Sequence, residues 1–332
     1  MRTALLASLL LLLVATAARA EGEAQLTGFQ PALGGGEGPA ALAMYRLPEE
    51  RFTIELGPEQ RHRSYVRREV RYPSPVRDRW PVITGTYYTP IGLRETDQRP
   101  AAVIVHHLAG DFGAEAYMAQ HLAQAGVPAV FIALPNYGPR REPGTKQGFL
   151  RQEDPVGGFA AFRQAALDVI RSADFLRAMP GVDPRQVGVV GVSLGAVVSA
   201  LARGVDPRLG RTVLVIGGGD VMTLLRESRE VQGVLEEGLR KAQVKLEDLP
   251  GLLAPVDPLT FAGRVRTEDV LMLNARRDEV IPEKCTLSLW EAMGRPRIEW
   301  MDCGHYGVVL HVLRVMNSAL DHIRGEREPH GS

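Results

Sequence analysis

Ser193 is the residue whose surroundings most clearly ask for chemistry. It stands between Gly191 and Gly195 near the end of VGVVGVSLGA (187–196), an apolar run that reads as a buried strand turning into a helix. In so tight a turn a Cβ at either glycine would strike the neighbouring strand or helix, so the two glycines hold one hydroxyl out above a helix N-terminus. A serine hydroxyl is a weak nucleophile until a base takes its proton, and the base needs an acid to orient it. Asp278, in NARRDEVIP (274–282), falls a few residues past one apolar strand, and His305, in CGHYG (303–307), falls just past another. Serine, acid and histidine in that chain order, each at a strand end, spell nucleophilic acyl transfer through a serine-bound intermediate.

Rivals exist for each role. Asp220 follows the strand-like RTVLVIGGG (211–219) and competes with Asp278 as the orienting acid. Glu279 is expected to face solvent, and Asp302 to make a local turn contact. Of the eight histidines, His305 alone lies after Ser193 at a strand-to-helix junction. His311 and His322 fall inside the last helix, and His62, His121 and His330 lie away from the relevant strand ends. An oxyanion needs backbone donors: Leu194, directly after the nucleophile, and a second amide from the loop after AAVIVHH (101–107). Leu108 is the choice for the second, with His107 as the alternative. The His106–His107 pair is read as shaping that loop rather than holding a metal.

Positioning these groups takes a parallel sheet. After Pro100, short apolar runs at 101–107, 127–135, 186–193, 211–219, 268–275 and 297–302 alternate with helical patterns at 113–126, 159–179, 194–204, 282–293 and 306–324. Fully apolar strands of this kind are buried on both faces, and right-handed crossovers between them give a doubly wound α/β fold with a mostly parallel sheet. Ahead of it, RFTIEL (51–56), SYVRREVRYP (64–73) and VITGTYYTP (82–90) predict antiparallel strands. Residues 220–266 are amphipathic and charged without a strand, which predicts a helical, lid-like insertion over the sheet's C-terminal edge.

Composition sets outer limits. Lys plus Arg equals Asp plus Glu, 39 against 39, so nothing favours nucleic acid or an anionic membrane surface. The opening MRTALLASLLLLLVATAARA has a basic start, an apolar stretch and an A-x-A ending, which predicts a signal peptide cleaved after Ala20 and a secreted or periplasmic protein. The alternative is a membrane anchor, but the apolar run falls short of the roughly 18 to 20 residues that span a bilayer. Loss of residues 1–20 removes two arginines and leaves a net charge of −2. Gly-, Ala- and Pro-rich residues 21–45 predict a flexible leader, residues 46–325 the folded domain, and residues 326–332 a tail. Cys285 and Cys303 are either a disulfide or two buried thiols.

The motifs HHLAG (106–110), GVSLG (191–195), Asp278 in NARRDEVIP and His305 in CGHYG resemble those of the α/β-hydrolase superfamily from about Thr84 to Arg324. The likeness is greatest to its dienelactone-hydrolase and acetyl-xylan-esterase branches. Two departures stand out: dienelactone hydrolases use a cysteine where this chain has Ser193, and HHLAG replaces the His-Gly of many members. The resemblance implies a serine hydrolase acting on carboxylic esters or related acyl bonds of a small molecule, with no cofactor and no metal. An acyltransferase or a peptidase would use the same three residues, and a non-catalytic binding protein would ordinarily have lost one. Acyl and alcohol specificity and oligomeric state have no legible signature.

Overall fold

The computed structural model describes residues 23–35, 37–108, 112–145, 148, 155–231, 240–245 and 247–326. The expected signal peptide and cleavage point, Ala109 and Gly110 of the HHLAG motif, and residues 327–332 of the tail lie outside them.

Among the described residues eleven strands form one sheet: β1 (Ala24–Gln30), β2 (Glu50–Leu56), β3 (Gln60–Arg61), β4 (Tyr65–Pro73), β5 (Val82–Pro90), β6 (Arg99–Val105), β7 (Ala129–Ile132), β8 (Val182–Val192), β9 (Thr212–Val215), β10 (Val270–Ala275) and β11 (Arg297–Met301). Their spatial order is β1-β2-β4-β5-β7-β6-β8-β9-β10-β11, with β3 hydrogen-bonded to β4. Pairing is antiparallel from β1 to the β5–β7 boundary and parallel from β7 to β11. The fold is thus the predicted one, a doubly wound α/β sheet with an antiparallel N-terminal part.

The helices of the described residues include α1 (Gly113–Gln124), α2 (Pro155–Arg177), α3 (Leu194–Val205), α4 (Val221–Glu227), α5 (Leu249–Leu253), α6 (Glu283–Ala292) and α7 (Val312–Arg324). Strand residues alternate between the two layers, as period-two geometry requires. In β6, Ala101, Val103 and Val105 pack with α2 and α3, while Ala102 and Ile104 pack with α1 and α7. Helix α6 covers the far parallel strands through Leu289 and Met293 against Leu214 and Met272. Among the described residues no helix is long and apolar enough to cross a membrane.

One expectation needs correction. Residues 21–45 are not a flexible leader over their described part. β1 pairs along its length with β2, Leu33 bridges Leu47, and Tyr45 is fully buried with its hydroxyl donating to the Pro255 carbonyl at 2.6 Å. The strand escapes notice because its inward positions include Gly28 and Gln30. Gly28 is small because the Phe52 ring lies over it, where a Cβ would come within 2.3 Å of the ring. Gln30 is buried because its side-chain oxygen accepts from the guanidinium of Arg171 at 2.8 Å. The cysteines, for their part, are free thiols buried in separate apolar clusters. Residues 232–239 and 246 of the expected insertion lie outside the described residues; its described part carries short helical pieces, among them α4, α5 and 3-10 turns at Pro258–Thr260 and Ala262–Arg264.

Candidate active site

Parallel register sets the site. Val105 of β6 pairs with Gly191 of β8, Val192 pairs with Val215 of β9, and Ala275 of β10 pairs with Met301 of β11. His106, Ser193, Asp278 and His305 therefore leave the sheet along one C-terminal edge, the place where open α/β sheets gather functional groups. The turn at Ser193 is sterically forced. Its φ of 53° lies in the left-handed region, a costly place for a residue with a Cβ. A Cβ on Gly191 would sit 2.2 Å from the Gly195 carbonyl oxygen, and one on Gly195 would sit 2.2 Å from that of Val105.

The structure brings the three residues together. Ser193 Oγ lies 2.9 Å from His305 Nε2, and His305 Nδ1 lies 2.9 and 2.8 Å from the two oxygens of Asp278. All three side chains are buried. A carboxylate only accepts, so Nδ1 carries the ring proton and Nε2 is left to accept from the serine hydroxyl. The amides of Val280 and Ile281 donate to Asp278 Oδ1 at 2.9 and 2.7 Å, which fixes the carboxylate in its loop.

The rival acids are occupied elsewhere. Asp220 caps α4, its side chain accepting from the Thr223 amide at 3.1 Å. Asp302 is held by Arg277. Glu279 does not simply face solvent: it is half-buried and accepts from the His305 backbone amide at 3.2 Å. Backbone hydrogen bonds, first its own amide and then that of His305, hold its carboxyl below the usual range. Glu279 thus grips the main chain of His305 while Asp278 grips the ring.

Leu194 opens α3 directly after Ser193, and Leu108 lines the same cavity. The alternative second donor, the His107 amide, is already engaged, donating to Glu115 Oε1 at 3.0 Å. His106 works as a loop clamp. Its Nε2 accepts from the Leu134 amide at 3.1 Å, so Nδ1 carries the proton and donates to the His107 carbonyl at 2.7 Å. Since the peptide unit is planar and trans, fixing that carbonyl also fixes the direction of the Leu108 N–H, which points the opposite way. Burial pushes the His106 imidazole down to about 4.

Glu115 is the functional-site residue that sequence reasoning passed over. It is fully buried at the start of α1, and its carboxylate holds both the amide and the ring Nδ1 of His107. Burial alone would raise its carboxyl, but the contacts with His107 outweigh that and leave it lowered. The signal was legible: Glu115 shares the buried face of α1 with Met118, Ala119, Leu122 and Ala123, and a charge on such a face must have a partner.

A cavity of about 600 Å³ opens above Ser193. Its walls come from α2 (Phe159, Phe162), α4 (Val221, Leu224) and α7 (Val312, Met316). The insertion therefore forms part of the cavity wall.

No protein-family model matches the chain. The uncharacterized protein YdjC of Bacillus subtilis strain 168 is 33% identical over 100 residues, which span 30% of this chain and 78% of that protein. Among solved structures, an acetyl xylan esterase from Paenibacillus sp. R4 superposes with a TM-score of 0.67 at 21% identity, over 80% of this chain and 88% of that one. Acetyl xylan esterase 1 from Thermoanaerobacterium sp. JW/SL YS485 gives 0.63 at 20% identity, over 81% and 87%. Pyrococcus horikoshii acylaminoacyl peptidase gives 0.59 at 16% identity, over 86% of this chain and 48% of that one. With its strand order and serine turn already in hand, the chain has the α/β-hydrolase type of fold seen in these structures and belongs to one family with the uncharacterized YdjC.

Proposed function

We propose that the protein is a serine hydrolase that cleaves carboxylic ester bonds. The observation that carries this reading is the continuous hydrogen-bonded chain from Ser193 through His305 to Asp278, set at the floor of a cavity. Fold neighbours described as esterases support it.

In the first half-reaction Ser193 Oγ bonds to the ester carbonyl carbon while its proton passes to His305 Nε2. The carbonyl π electrons move onto oxygen, where the Leu194 and Leu108 amides would receive the charge. When the carbonyl re-forms, the C–O bond to the alcohol breaks, and the alcohol leaves with the proton from His305. Water then repeats the sequence on the acyl-serine, releasing the carboxylic acid and restoring the hydroxyl. Asp278 keeps the ring proton on Nδ1 and stabilises the imidazolium; it does not itself take the proton. We further propose that residues 1–20 direct export and that the 220–266 insertion acts as a lid.

A panel of p-nitrophenyl esters assayed with wild type and Ser193→Ala tests the proposal. Turnover should fall by roughly three orders of magnitude or more in the variant. An undiminished rate would remove Ser193 from the mechanism.

A further inference from the structure

We infer that the substrate is a hydrocarbon-rich ester, one carrying a long aliphatic chain, and not an acetylated sugar. This rests on the esterase reading above and narrows it to a substrate class.

The cavity over Ser193 is of the size that encloses whole drug-sized molecules, far beyond the needs of an acetyl group. Among the described residues its walls are almost entirely aliphatic and aromatic. Among the described residues few polar side chains reach it, and they are engaged with one another or with the backbone: Ser193 with His305, His107 with Glu115, Tyr306 with Glu230, and Ser228 Oγ accepting from the Glu230 amide at 3.4 Å. Among the described residues Glu115 Oε2 is a buried oxygen without a partner, and a carboxylate oxygen can only accept. A sugar ring brings several hydroxyls, and each one buried without a partner weakens binding. A hydrocarbon chain brings none and gains from every methylene it removes from water.

The apolar character continues out of the cavity. Tyr306 and Val309 line it and are also 64% and 67% exposed, and Leu310 and Leu313 beside them are 85% and 66% exposed. They follow His305 directly in sequence, so the rim next to the reacting groups is apolar as well. A chain longer than the cavity would leave it over more apolar surface.

Two ester series test this, one lengthening the acid from p-nitrophenyl acetate to octanoate, the other lengthening the alcohol from ethyl to octyl acetate. In one series or both, kcat/KM should rise by about tenfold or more with chain length, since each fully buried methylene is worth roughly fourfold. Val309→Asp should lower the long-to-short ratio in that series by about threefold or more, because it sets a charge against the chain. Flat or falling profiles in both series, with turnover still dependent on Ser193, would overturn the substrate class and leave the esterase reading standing. Saturable binding of p-nitrophenyl octanoate to Ser193→Ala, read by titration calorimetry, separates the two further. If wild type hydrolyses no ester yet the variant binds octanoate well above acetate, the apolar site stands and the esterase reading fails. Equal binding of the two overturns the site.

Discussion

At the scale of single residues, the site divides labour between groups that react and groups that hold them. Chain order admits Asp220 as a rival to Asp278, and hydrogen bonds separate them: Asp278 meets the His305 ring, while Asp220 caps α4. Asp278→Asn should cost roughly two to four orders of magnitude in kcat, because an amide lets the wrong ring nitrogen carry the proton. Asp220→Asn should stay within about tenfold of wild type, since Asn caps a helix as well as Asp; steady-state kinetics on the pair decides between them. His106 gives a stability signature. Unfolded it titrates near 6.5 and folded near 4, so the fold prefers the neutral ring. That preference is complete above pH 6.5 and is lost as pH falls toward 4. It is worth about 3 kcal/mol. His106→Asn should therefore be less stable at neutral pH and show a flatter loss across that window in urea titrations; an unchanged slope would remove His106 as its source.

At the scale of elements, the parallel half was legible because buried strands are short apolar runs between helical patterns, as AAVIVHH, VGVVGV and EDVLML show. The serine turn was legible for the same steric reason the structure displays, glycines packed against backbone on both sides. Gly195→Ala should accordingly disrupt the elbow, lowering stability by about 1 to 3 kcal/mol and activity with it, as thermal unfolding and turnover measured together would show. β1 was hidden, since what an edge strand buries is set by distant partners, here Phe52 and Arg171, and not by its own pattern. Glu115 is legible only as a charge on the apolar face of α1; which partner it holds is set by the fold, which brings His107 beside it. Glu115→Gln keeps one acceptor but loses the charge, and should lower kcat by about tenfold with KM little changed, a milder loss than removing an oxyanion donor outright.

At the scale of the molecule, the N-terminal strands and the C-terminal catalytic edge belong to one body. Tyr45 reaches Pro255 across the chain, its ring stacks edge-on against Phe261, and Arg171 is enclosed by Gln30, Glu50 and the Phe52 ring. A protein beginning at residue 46 should melt about 10 °C or more below one beginning at residue 23, because it loses a fully buried tyrosine and a paired strand. Similar melting temperatures would return those residues to the status of a leader. The proposed mechanism turns on Ser193 Oγ being the atom that acquires the acyl group. Treating the protein with a fluorophosphonate and mapping the adduct by peptide mass spectrometry tests this most directly. One modified peptide is expected, carrying the label on Ser193 and losing it in His305→Ala. A label on another side chain, or none on a protein that still hydrolyses esters, would contradict it.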